Sequence, residues 1–339
     1  MTGAIVMVHG VGGTADTWSR MAPAFRGMGW RVETPTLRPD KRVAENPPSD
    51  LPTLRLKDYV ADIAALARAL EAETGVAPVL FGHSMGGLIV QKLLEAGVGR
   101  AGVLITPASP ADARGQRALG QAVTFANILL SGAVGSKSHK IWRWGFSWGV
   151  LNRVPRAKHA GIFAGTVYDS GGVYEDIAYP ERDPARTAFV DETRITAPVL
   201  TIGGAKDRAV PIGDVRLAAE KYSRIGGDYL EYVDNGHWIV DEPGTDRVIE
   251  DIATWLASRT ITPAAPVVKK ASKGAPEKPA KAGARKAAAA PKAKPAPKPA
   301  PEAAPGGKAK ARTAPATKAT PAAKTSSGAK ARVRKPKST

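Results

Sequence analysis

The chain has 339 residues, no cysteine, and 49 Lys+Arg against 31 Asp+Glu, a formal net charge of +18. Of these, 20 cations and only two acids (Glu277 and Glu302) fall in residues 261–339, so residues 1–260 are balanced and the basicity belongs to a C-terminal tail. Lack of cysteine excludes a disulfide scaffold, a Cys-ligated zinc site and a thiol nucleophile, and no apolar run reaches the roughly 18–20 residues that span a bilayer. The first residues also lack a basic segment followed by a long apolar run, so a soluble cytoplasmic protein without a secretory leader is the expectation.

Ala4–Val8 is a continuous apolar run rich in β-branched residues, the pattern of a strand buried on both faces. A helix is predicted over Trp18–Phe25, a strand near Arg31–Thr34, and a loop over Arg38–Pro52, which is dense in proline and charge. From Leu56, the apolar residues Val60, Ile63, Ala67 and Leu70 recur at helical spacing, with Gly75 as a stop. Pro78–Phe81 reads as a strand, Ser84–Leu94 as a helix and Gly102–Ile105 as a strand. After an interruption come a strand at Val199–Ile202, a helix near Val215–Tyr222, a strand at Tyr229–Val233 and a helix over Asp246–Leu256. Alternation of this kind predicts an α/β fold with a parallel sheet.

The rhythm stops between Thr106 and Thr196, a span that holds Trp142, Trp144, Phe146 and Trp148. Two overlapping readings fit: an inserted helical subdomain with these aromatics as core, or a cap whose aromatics line an apolar pocket above the sheet. The division expected is a core of 1–106 and 197–260, a helical cap over 107–196, and a tail over 261–339. That tail is almost entirely Ala, Lys, Pro, Gly, Thr and Ser, without aromatics, a composition predicted to be disordered.

Gly82-His83-Ser84-Met85-Gly86 matches the G-x-S-x-G pattern, and it lies between a predicted strand and a predicted helix. A turn that tight requires small flanking residues. It lifts the serine hydroxyl above the sheet at a helix N-terminus, where the dipole favours a developing anion. His9-Gly10-Val11-Gly12-Gly13 follows the first strand, and its glycines let backbone N–H groups point into a cavity. The amides of Val11 and Met85 are the expected donors to an oxyanion.

A serine nucleophile needs a base, and five histidines compete. His9 and His83 read as structural, and His139 and His159 as surface or cap residues. His237, in Asp234-Asn235-Gly236-His237-Trp238, follows the last strand at the sheet edge where α/β folds bind ligands. Asp207, after the strand at Val199–Ile202, is the expected acid partner that fixes the imidazole. Asp112 and Asp234 are lesser candidates. The order Ser84, Asp207, His237 matches the chain order expected for this fold.

On these motifs, residues 3–258 resemble the α/β-hydrolase superfamily, in its lipase- and esterase-like, acylglycerol-lipase-like branch. The resemblance implies catalytic roles for Ser84, Asp207 and His237 and oxyanion roles for Val11 and Met85. Two leading strands common in larger members have no counterpart here, which implies a six-stranded, all-parallel sheet. Serine at position 84 argues against the similar haloalkane dehalogenases and epoxide hydrolases, which use aspartate there. No cofactor or metal is implied, and Gly203-Gly204 reads as an isolated loop feature. The expected reaction is hydrolysis of carboxylic esters with an apolar part. A thioesterase, C–C bond hydrolase or acyltransferase would share the triad, and a non-catalytic scaffold tethered to nucleic acid would use only the tail.

The tail composition resembles that of linker-histone tails and suits non-specific binding to DNA, RNA or another polyanion through counterion release. The bland alternative is a solubilising appendage. Neutralising roughly 8–10 phosphates predicts an affinity loss of about 10³–10⁵-fold between 50 and 200 mM salt, read by gel shift of the isolated tail. No shift even at low salt removes the tether.

Overall fold

A computed structural model of the chain describes residues 3–115 and 118–263. The apolar runs form β1 (Ala4–Val8), β2 (Arg31–Glu33), β3 (Val79–His83), β4 (Ala101–Ile105), β5 (Val199–Gly204) and β6 (Asp228–Tyr232). They make one sheet in the order β2-β1-β3-β4-β5-β6, with every pairing parallel. The predicted six-stranded parallel sheet is therefore present. Strands β1, β3, β4 and β5 are buried throughout, whereas the edge strand β6 is half-buried along its length.

Because side chains alternate across a strand, the sheet builds a core on each face. Ile5, Met7, Phe81, Val103, Ile105 and Ile202 pack toward α1 (Met21–Gly27) and, through Val248, Ile252 and Leu256, toward the C-terminal helix over Thr245–Ser258. Val6, Val8, Leu80 and Leu104 face the other way, toward α2 (Leu56–Thr74) and α3 (Met85–Glu95). Helix α2 ends at Gly75, whose φ of 70° is the left-handed C-cap that glycine adopts without strain.

The segment after β4 carries α4 (Leu119–Thr124), α5 (Ala126–Leu129), α6 (Arg143–Gly145), α7 (Arg156–Ala164) and α8 (Gly171–Ala178). The chain then enters β5, α9 (Ile212–Ser223), β6 and α10 (Thr245–Ser258). Asp176 on α8 accepts the Leu56 N–H at 2.9 Å and pairs with Arg55, so α8 holds the N-terminus of α2. Among the described residues, no helix is long and apolar enough to cross a membrane.

Two details differ from the sequence reading. The helix expected over Trp18–Phe25 is split into a 3₁₀ turn at Ala15–Trp18 and α1 from Met21. Pro23 explains the break: its ring would clash with the carbonyl four residues back, so the α-helix starts just before it. Gly203 and Gly204 end strand β5 and are not an isolated loop pair. A Cβ on Gly204 would lie 2.4 Å from the Gly236 carbonyl, so glycine there lets β5 approach the loop that carries His237. The reading of the tail lies, from residue 264 onward, outside the described residues.

Candidate active site

Ser84 stands between β3 and α3 with φ 55° and ψ −122°, a backbone conformation that non-glycine residues seldom adopt. The turn is held from several sides. Ser84 N–H donates to the Ile105 carbonyl at 3.2 Å, and the Ser84 carbonyl accepts from Gly87 and Ala108 at 2.9 and 2.8 Å. A Cβ at Gly82 would come within 2.2 Å of the Gly86 carbonyl oxygen, and one at Gly86 within 2.0 Å of the Val8 oxygen. Small residues here are thus a packing requirement.

Asp207 lies just beyond β5. Its Oδ1 accepts the N–H groups of Ala209 and Val210 at 2.7 and 2.9 Å, while Oδ2 lies 2.7 Å from His237 Nδ1. A proton on Nδ1 donates to this carboxylate and leaves Nε2 with a free lone pair. The His237 carbonyl accepts from His83 Nε2 at 2.9 Å and from Thr106 Oγ1 at 3.1 Å. Buried Glu242 accepts the N–H groups of Gly236 and Trp238, at 2.7 and 3.1 Å, so it grips the backbone on both sides of His237.

Ser84 and His237 line one narrow gap of about 20 Å³, together with Gly10, Val11 and Trp238. Ser84, Val11 and Met85 also line a larger cavity of about 320 Å³, with Phe125, Ile128 and Tyr174 among its walls. Among the described residues, Ser84 Oγ makes no hydrogen bond to His237. Such contacts in unliganded sites are often long and tighten when substrate binds. The N–H groups of Val11 and Met85 donate to no other described residue, and Met85 opens α3, where the helix dipole adds positive potential.

The turn that carries Val11 is fixed by a buried ion pair. Arg42 and Asp169 are fully buried and 2.9 Å apart. Asp169 Oδ2 also accepts the Gly12 N–H at 2.8 Å, and Oδ1 accepts the Tyr59 hydroxyl at 2.7 Å. The Gly12 carbonyl takes the Val167 N–H at 2.9 Å. Residues 167–169, between α7 and α8, therefore hold Gly12 through both its N–H and its carbonyl. Burial raises the Asp169 pKa, but Arg42 and the hydrogen bonds from Gly12 and Tyr59 outweigh it and hold the carboxyl below its usual range.

The other histidines have assigned partners. His9 Nε2 accepts the Leu37 N–H at 3.1 Å, and its Nδ1 lies 2.9 Å from the Gly10 carbonyl. Burial lowers the pKa of His9 and His83 to about 3, so both are neutral at neutral pH. His139 forms a backbone bridge with Asp169 and His159 bonds the Val154 carbonyl. Asp112 pairs with Lys221 at 2.5 Å, and Asp234 is exposed.

The tryptophan cluster departs from both sequence readings. Trp142 and Trp144 are 45% and 56% exposed, and Trp148 stacks on Trp144. None of the three lines the cavity; of the four aromatics only Phe146 is core and reaches the narrow gap. Glu242, Thr106, Arg42 and Asp169 were not singled out by sequence. Glu242 follows Asp241 and precedes Pro243, so nothing local sets it apart from an ordinary loop carboxylate. No group of three or more metal-ligating side chains occurs among the described residues.

Replacing Asp169 with Asn leaves the Arg42 charge buried and unpaired, which predicts a loss of about 3–5 kcal/mol in urea unfolding. A folded-state carboxyl pKa below its unfolded value means that this stabilisation is complete above about pH 4 and is lost as pH falls through the folded value. A change below about 1 kcal/mol contradicts the assigned role.

Residues 5–250 match the alpha/beta hydrolase family. The fold is similar to that of a monoacylglycerol lipase from Paleococcus ferrophilus, at 22% identity and TM-score 0.56, covering 76% of this chain and 94% of that one. It is also similar to an esterase from Exiguobacterium antarcticum, at 16% identity and TM-score 0.57, covering 76% and 93%. A methylesterase from Arabidopsis matches at 14% identity and TM-score 0.56, covering 76% and 99%. With a parallel six-stranded sheet, a strained serine turn and a family match across most of its length, the chain belongs to the alpha/beta hydrolase family.

Proposed function

We propose that this protein is a serine hydrolase of carboxylic esters, with Ser84 as nucleophile, His237 as base, Asp207 as its partner, and the Val11 and Met85 amides as the oxyanion hole. The observation that carries it is the 2.7 Å contact between His237 Nδ1 and Asp207, with His237 and Ser84 on the wall of one gap. The similar structures are a lipase, a methylesterase and an esterase, which favours esters over thioesters or C–C bonds. Residues 107–196 act as the cap that roofs the cavity, which their residues Phe125, Ile128 and Tyr174 help to line.

In the mechanism, His237 Nε2 takes the Ser84 proton as Oγ attacks the ester carbonyl. Negative charge forms on the carbonyl oxygen, where the two free amides receive it. Collapse breaks the C–O bond, and the departing alkoxide takes the proton from His237. Water then yields a proton to His237 and attacks the acyl-enzyme, releasing the acid and restoring Ser84. Asp207 holds the imidazole in place and stabilises the imidazolium.

The test is hydrolysis of p-nitrophenyl esters from acetate to palmitate. A cavity of about 320 Å³ is near the lower bound for small-molecule pockets, which predicts faster turnover of short and medium chains than of palmitate. Ser84→Ala and His237→Ala are each expected to lower kcat by about 10⁴-fold or more. Near-full activity in Ser84→Ala sinks the proposal.

A further inference from the structure

The large cavity is mostly apolar, but one part of its wall is not. Arg114, Ser109, Tyr174 and Asp214 all line it. Ser109 is 4% exposed and Tyr174 7%, and neither hydroxyl oxygen has a hydrogen-bond partner among the described residues. Unpaired buried hydroxyls are uncommon in native structures and call for a partner. Both residues line the space that reaches Ser84, but their hydroxyl oxygens are closed off from it, which leaves Arg114 as the cation on that wall.

Arg114 has an incomplete set of partners as well. Its Nε and Nη2 donate to the Ser109 carbonyl at 2.9 and 2.8 Å, and Nη1 to the Ile177 carbonyl at 2.5 Å. A guanidinium has five N–H bonds, so two remain. No carboxylate among the described residues pairs with it: Asp112 is taken by Lys221, and Asp214 accepts the Gly115 N–H at 2.9 Å without reaching Arg114. The contrast with other arginines is direct. Arg31 and Arg38 grip carboxylates, which raise their pKa values, whereas burial lowers that of Arg114. A partly buried cation held only by backbone carbonyls is fixed in position, and the carboxylates of Asp214, Asp112 and Glu181 act on its charge without hydrogen-bonding it.

We propose that Arg114 forms a carboxylate-binding subsite, and that the preferred substrates are esters bearing a free carboxylate away from the scissile bond. A carboxylate would accept both remaining guanidinium N–H bonds, the pairing for which arginine is suited. Asp214 shares the wall and its charge opposes an incoming anion, although burial raises its pKa and so disfavours that charge. The apolar walls at Phe125, Ile128 and Leu129 would take the methylenes between the two ends. The subsite deepens the ester-hydrolase reading and rests on it.

Binding is tested apart from catalysis, in full-length Ser84→Ala protein titrated calorimetrically with monoethyl adipate and with neutral diethyl adipate. The acid ester is expected to bind at least about tenfold more tightly, as one charge-assisted pair supplies. Adding Arg114→Gln should abolish that preference, and Arg114→Lys should keep part of it. Circular dichroism of each variant checks the fold. Equal binding of both esters, or a preference that survives Arg114→Gln because the tail cations supply it, overturns the subsite. Hydrolysis of neutral p-nitrophenyl esters by protein with Ser84 intact reports separately on the ester-hydrolase reading.

Discussion

The geometry of the site depends on one backbone constraint, the left-handed conformation of Ser84. A serine at φ 55° costs on the order of 1–3 kcal/mol and persists only where its surroundings over-determine it. Here they do so through the Ile105 carbonyl, the Gly87 and Ala108 amides, and the approach of Gly86 to Val8. That approach ties α3 to β1, so the serine turn and the His9–Gly13 turn cannot shift independently. A Cβ on Gly10 would meet Ser84 Cβ at 2.8 Å, which shows how closely the two turns sit.

Around this strained point, polar groups are spent on holding backbone. His83 and Thr106 hold the His237 carbonyl, Glu242 holds the amides before and after it, and Asp169 holds the Gly12 amide. His9 and His83, kept neutral by burial, act as hydrogen-bonding spacers and add no charge beside His237. The result is a rim at the C-terminal edge of the sheet whose backbone is held by hydrogen bonds on both sides of His237 and at Gly12. Preorganised donors aimed at a developing charge are the feature through which such sites lower a barrier.

What could be read from sequence was local. A buried parallel strand announces itself as a continuous apolar run, and the serine turn as small residues between a strand and a helix, so the sheet and the positions of Ser84, Asp207 and His237 at its edge were legible. Pro23 was visible but was not weighed against the periodicity that began at Trp18. The Arg42–Asp169 pair joins residues 127 positions apart, and only the tertiary fold brings them together. The tryptophans misled because aromatic residues in an aromatic-poor chain suggest core or pocket, whereas two of these three lie open to solvent. The cavity is built instead from less conspicuous residues such as Phe125, Ile128 and Tyr174.

The central claim is that Ser84 is a nucleophile activated by His237. Reaction of the folded, full-length protein with a fluorophosphonate, followed by peptide mass spectrometry, tests it most directly. A single stoichiometric adduct on Ser84 is expected, formed far more slowly in His237→Ala. No adduct, or an adduct on another residue with Ser84 unmodified, would contradict it.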